Sequence, residues 1–87
     1  MTLVEMYSKR DCHLCDVAKE VVQRVGRRHP FELNLVELEE GDLLFERYTE
    51  RVPVVYINGK FAFQFHVPEE EFIAALHAAS DVPQQQR

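Results

Sequence analysis

Two short apolar runs, Val54 to Ile57 and Phe61 to Phe65, are separated by Asn58-Gly59. Both residues of that pair accept positive φ at little cost, which makes it the strongest short-range signal for a tight β-hairpin. One antiparallel strand pair is therefore set. The N-terminal half follows another rule. Leu3 to Ser8 reads as a strand, and so does Phe31 to Leu38, where Phe31, Leu33 and Leu35 alternate with Glu32, Asn34 and Val36. Between them, from about Cys12 to Arg28, Leu14, Val17, Ala18, Val21, Val22 and Val25 recur at helical spacing. Two strands joined by a helix lie parallel with a right-handed crossover. Asp42 to about Tyr48 reads as a short helix. Phe72, Ile73, Leu76 and Ala79 form the stripe of a last one, with Pro68 near its start and Glu69, Glu70 and Glu71 in its first turn. The order β-α-β-α-β-β-α predicts an α/β domain, a four-stranded mixed sheet flanked by helices on both faces.

Finer expectations follow from single residues. Asp11 is positioned to cap the first helix, and Gly26 and Pro30 to help end it. Phe61, Phe63 and Phe65 alternate, so all three are expected on one side of their strand, where core packing is favoured over a substrate-binding aromatic patch. Residues 1–80 make one domain, and 81–87, ending Pro83-Gln84-Gln85-Gln86-Arg87, are expected to be a disordered tail.

The 87 residues suffice for one domain, and the net charge of −5 argues against a nucleic-acid protein, which carries a basic face. No run approaches the roughly 20 apolar residues of a membrane span. Glu5 interrupts the N-terminal apolar stretch, which does not read as a signal peptide. A monomer in the cytoplasm is expected, and in that compartment a close cysteine pair is catalytic, redox-sensing or metal-binding rather than structural.

That pair is Cys12-His13-Leu14-Cys15, set where a strand passes into a helix. Backbone N–H groups and the positive end of the helix dipole point at the first cysteine and favour its thiolate, the nucleophilic form. Lys9, Arg10 and His13 add positive charge, while Asp11 and Asp16 oppose it. The three-residue offset puts Cys15 one turn along, within reach of the Cys12 sulfur. Cys12 then reads as the attacking thiol and Cys15 as the more buried resolving thiol. A zinc half-site would need four ligands, but no second cysteine pair exists and the histidines lack paired spacing. Two inert cysteines would sit in apolar surroundings rather than at a helix start. Val52-Pro53 precedes a strand. Taken as a dipeptide it reads as a trans proline at a strand start, although X–Pro bonds are those that take cis readily.

Taken together, Tyr7-Ser8-Lys9-x-x-Cys12-x-x-Cys15 resembles the active-site segment of glutaredoxins, members of the thioredoxin superfamily. Arg51-Val52-Pro53-Val54-Val55-Tyr56-Ile57-Asn58-Gly59 is similar to their cis-proline segment and hairpin. The resemblance runs from Leu3 to about Ala79 and is nearest to a bacterial group with a Cys-His-Leu-Cys centre. It implies a thioredoxin/glutaredoxin fold and a dithiol–disulfide oxidoreductase. In that family's terms Cys12 is the nucleophile, Cys15 the resolving thiol and Pro53 a cis proline. Val52 would offer its backbone N–H and C=O to the substrate like a short extra strand, and Lys9 would bind a glutathione carboxylate. No bound cofactor is implied. The electron donor would be glutathione or a thioredoxin-reductase-type flavoenzyme, and the partners a disulfide-containing protein or small thiol and a reductase. The chain departs from the family in two places. His13-Leu14 stands where Pro-Tyr is usual. Phe61-Ala62-Phe63-Gln64-Phe65-His66-Val67 stands where a glutathione-binding Gly-Gly and acid are expected. The competing use of the same pair is a non-enzymatic, redox-responsive binding module.

Overall fold

The computed structural model describes residues 2–81. They form β1 (Leu3–Lys9), α1 (His13–Arg28), β2 (Glu32–Leu38), α2 (Leu43–Tyr48), β3 (Val54–Ile57), β4 (Lys60–Gln64) and α3 (Glu69–Asp81). Of the tail expected at 81–87, Asp81 is the last residue of α3 and 82–87 lie outside the described residues. The strands form one sheet in the order β2-β1-β3-β4. β1 and β2 run parallel, whereas β1 with β3 and β3 with β4 are antiparallel. This is the mixed sheet that a crossover helix and a hairpin together require.

The hairpin forms at Asn58-Gly59, where φ is 52° and 83°. Asn58 does more than turn the chain. Its N–H donates to the Leu3 carbonyl at 2.8 Å, and its Oδ1 accepts the Leu3 N–H at 2.9 Å. The hairpin tip is thereby tied to the start of the central strand β1.

Strand side chains alternate between the two faces, and each face buries a different core. Val4 and Met6 of β1 and Val55 and Ile57 of β3 pack against Ala18, Val22 and Val25 of α1 and Phe72 and Leu76 of α3. On the other face Val54, Leu38 and Val52 gather with Tyr48 of α2 and with Cys15. The cysteine pair lies where α1 begins, at the rim of this second core.

Three local expectations are corrected. Asp11 does not cap α1: it sits at φ +57°, outside the extended conformation of a cap, and Cys12 takes the position instead. Gly26 does not end α1, which continues to Arg28 and closes with the His29 N–H on the Val25 carbonyl at 2.8 Å. The glycine serves a close approach, since a Cβ there would stand 3.2 Å from the Phe31 ring. Finally, β4 is not an unbroken strand. Val55 pairs with Phe63 but Tyr56 with Phe61, so Ala62 is an extra residue. The bulge flips the alternation. Phe63 meets Phe72 in the first core, while Phe61 meets Tyr56 on the opposite side. Phe61 and Phe65 are left exposed.

Candidate active site

Cys12 leaves the β1–α1 loop with extended backbone, φ −118° and ψ 107°, and stands as the N-cap of α1. A cap side chain accepts one of the helix's unpaired N–H groups. Here that acceptor is sulfur: the Cys15 N–H donates to Cys12 Sγ at 3.2 Å. The Cys12 carbonyl meanwhile accepts the Asp16 N–H at 3.1 Å and starts the helical ladder. Backbone hydrogen bonding thus aims a donor at the half-buried Cys12 sulfur. Both cysteines are free thiols.

Cys15 is the reverse case. It is 1% exposed, and its thiol is pushed up to about 12, chiefly by burial. The hydrogen bond with the Cys12 side chain adds to this, as do the negative charges at Cys12 and Asp16; a hydrogen bond from the Lys9 backbone works the other way. The buried sulfur therefore holds its proton at neutral pH beside a partner that reaches solvent.

The walls of the site come from the N-terminal strand and from the middle of the chain. Tyr7 of β1 stacks on Tyr48 of α2 with ring centroids 4.9 Å apart. The Tyr48 and Tyr56 hydroxyls lie 3.1 Å apart, and the Arg51 guanidinium sits 5.5 Å over the Tyr48 ring. Tyr7 is raised above the usual phenol range by burial, then by Glu5 and Tyr48; Tyr56 is raised first by its hydrogen bond with Tyr48. These tyrosines belong to or line the same core as Cys15 and Cys12. Sequence reading missed the trio. The available signal was Tyr7 and Tyr56, one on each of two strands with period-2 alternation, but Tyr48 meets them only through the placement of α2.

Val52-Pro53 is cis, as the family resemblance implied and the dipeptide alone did not. Val52 is 5% exposed and shares the core cluster of Cys15. One expectation for it is corrected. The Val52 N–H already donates to the Tyr48 carbonyl at 3.0 Å, closing the turn after α2. It is not free to pair with a substrate strand, which leaves the carbonyl. Lys9 ends β1 half-buried, with its ammonium 3.5 Å from Thr49 Oγ1. The side chain therefore lies beside the C-terminal end of α2, and no ion pair among the described residues includes it. His13 and His66 are exposed, and His77 packs edge-on to His29, 5.2 Å between centroids.

Comparison with known proteins agrees with this architecture. The profile of the "Glutaredoxin-like domain (DUF836)" family matches residues 3–77. Among solved structures, a structural-genomics target protein from X. campestris, XcR50, is similar over 86% of this chain and 96% of its own. It has 25% identity and a TM-score of 0.71. A malaria parasite thioredoxin-2, described as a component of the parasite's protein secretion machinery, is similar over 90% of this chain and 82% of its own. Its TM-score is 0.64 at 13% identity, a likeness of fold alone.

Proposed function

The chain belongs to the glutaredoxin-like domain family, and on that premise we propose that it is a dithiol–disulfide oxidoreductase with Cys12 as nucleophile and Cys15 as resolving thiol. The observation that carries this reading is the asymmetry of the pair. The Cys12 sulfur is within reach of solvent and accepts a helix N-terminal N–H at 3.2 Å, while Cys15 is buried one turn behind it with its proton held.

The chemistry balances without a bound cofactor. The Cys12 thiolate attacks one sulfur of a substrate disulfide. A Cys12–substrate S–S bond forms, the substrate S–S bond breaks, and the departing thiolate takes up a proton. Once Cys12 sulfur is bonded in this mixed disulfide, its negative charge is gone. One of the causes that hold the proton on Cys15 goes with it. Cys15 then loses its proton and attacks Cys12 Sγ. The Cys12–Cys15 disulfide forms, the mixed disulfide breaks, and the second substrate thiol leaves. The substrate gains two electrons, which the cysteine pair loses, and two protons, one from Cys15 and one from solvent, the latter replacing the proton Cys12 gave up on ionising.

Return to the dithiol uses an outside donor, two glutathione thiols or a thioredoxin-reductase-type flavoenzyme, in a reducing compartment such as the cytoplasm. Lys9 supplies a positive charge toward a substrate carboxylate at the end of β1. The Val52 carbonyl accepts one hydrogen bond from substrate backbone.

A coupled assay that offers the two reducing systems separately tests the reading. We expect steady reduction of a model disulfide with one of them, and loss of that turnover by more than a hundredfold in Cys12→Ser, because the thiolate is the nucleophile. A reduced wild-type chain that reduces no disulfide, large or small, overturns it.

A further inference from the structure

β4 ends in a tight reversal. The Phe65 N–H donates to the Pro53 carbonyl at 2.9 Å, and the His66 N–H donates to the Gln64 carbonyl at 2.7 Å. The second bond closes a γ-turn centred on Phe65, whose φ is +69°. That hand of γ-turn is rare and strained, and an aromatic residue is a poor choice for it. Glycine would take the same φ freely. The ring is not kept there to fill a core, since Phe65 is 38% exposed. Strain held at a surface aromatic side chain points to a use for that side chain.

Phe65 lines a cleft of about 210 Å³, together with Leu14, Val17 and Ala18 of α1 and with Val67 and Pro68. Val17 is 45% exposed, so the apolar wall is open to an occupant. Of the lining residues, His66 alone is ionisable. Leu14 lies between the two cysteines, and Phe65 is bonded to the residue that follows Val52. The cleft therefore shares the start of α1 with the cysteine pair and is tied through Phe65 to the segment after Val52.

Building on the oxidoreductase reading above, we infer that this cleft selects the substrate. It takes the apolar side chain next to the reactive cysteine of a polypeptide disulfide, with Phe65 as the specificity-determining residue. Three points identify the occupant. The volume falls below the roughly 300–1,000 Å³ of pockets that enclose a whole small ligand, so it suits one side chain. Glutathione carries two carboxylates and an ammonium, and against these walls a charge would lose water without gaining a partner. The Val52 N–H is committed to Tyr48, which removes half of the backbone pairing and shifts recognition onto side chains.

The test is single-turnover reduction by the reduced full-length chain, which needs no reductase. Two peptide disulfides of equal charge are compared, one with Leu and one with Gly beside the cysteine, and oxidised glutathione is the third substrate. We expect the Leu peptide to react about tenfold faster than the other two, the effect of partly burying one apolar side chain. Phe65→Gly, which adopts the same φ without strain, should bring the Leu-to-Gly ratio close to one, and Phe65→Leu should keep it. Val17→Asp should lower it independently. Equal wild-type rates on the two peptides overturn the inference while leaving the oxidoreductase intact. So does a faster reaction with glutathione, or a ratio unmoved in both Phe65→Gly and Val17→Asp. No reduction of any of the three removes the oxidoreductase reading and this inference with it.

Discussion

The two faces of the sheet are built from different materials. The core under α1 and α3 is wholly apolar, with Val4, Met6, Val22 and Phe72 at 0% exposure. The core under α2 buries a thiol, Cys15, and draws on three phenols. A wholly apolar core loses nothing to desolvation and gains from every buried methylene. A core containing ionisable groups has its stability tied to their protonation. The first face supplies rigidity, and the second holds the chemistry against it.

The largest expected break in this comparison is Phe72→Ala. Phe72 is fully buried and its ring meets both Phe31 and Phe63. Truncation should cost about 3–5 kcal/mol, a large share of a small domain's stability, as read by urea denaturation. A midpoint shift of less than about 1 kcal/mol would mean that the apolar core re-forms around the gap.

The second comparison is made with pH. The Cys15 thiol is raised from an ordinary value of 9.0 to about 12, so the folded chain binds this proton more tightly than the unfolded chain. The stabilisation is complete below the unfolded value and is lost as pH rises toward the folded one. The reduced wild-type protein should lose at most about 1.4 kcal/mol per pH unit across that window. Cys15→Ala should lack this part of the slope. Parallel wild-type and variant stability curves between those pH values would contradict it.

The smallest change sharpens the same contrast. Tyr56→Phe removes one hydroxyl of the 3.1 Å pair and leaves that of Tyr48, 7% exposed, without its partner. A loss of about 0.5–1.5 kcal/mol is expected, seen as a lower thermal midpoint. The same readout on Phe61→Leu, at an exposed position on the same side, should move less.

Much of the fold was legible because it rests on local periods. The helical spacing from Leu14 to Val25, the alternation in β2 and Asn58-Gly59 each report on neighbours a few residues away. The placement of the cysteine pair at a helix start was legible for the same reason. Where reading failed, the packed arrangement had overridden the local signal. Gly26 looks like a helix stop until the Phe31 ring is laid over it. Asp11 looks like a cap until the turn out of β1 puts it at φ +57°. The phenylalanines of β4 look one-sided until Ala62 is squeezed out of register.

Spacing and the helix that follows therefore bring Cys12 and Cys15 together as a candidate redox pair, since residues three apart on a helix share a face. What surrounds that pair was settled by packing. The Val52 N–H turned inward to Tyr48, the tyrosines closed around the buried sulfur, and the Phe65 ring was held at the rim of a cleft that begins at Leu14. The Tyr7–Tyr48 stack and the cleft shared by Leu14 and Phe65 join residues more than 40 positions apart. No local pattern encodes such a meeting, because it depends on strand register and on which helix face each strand accepts.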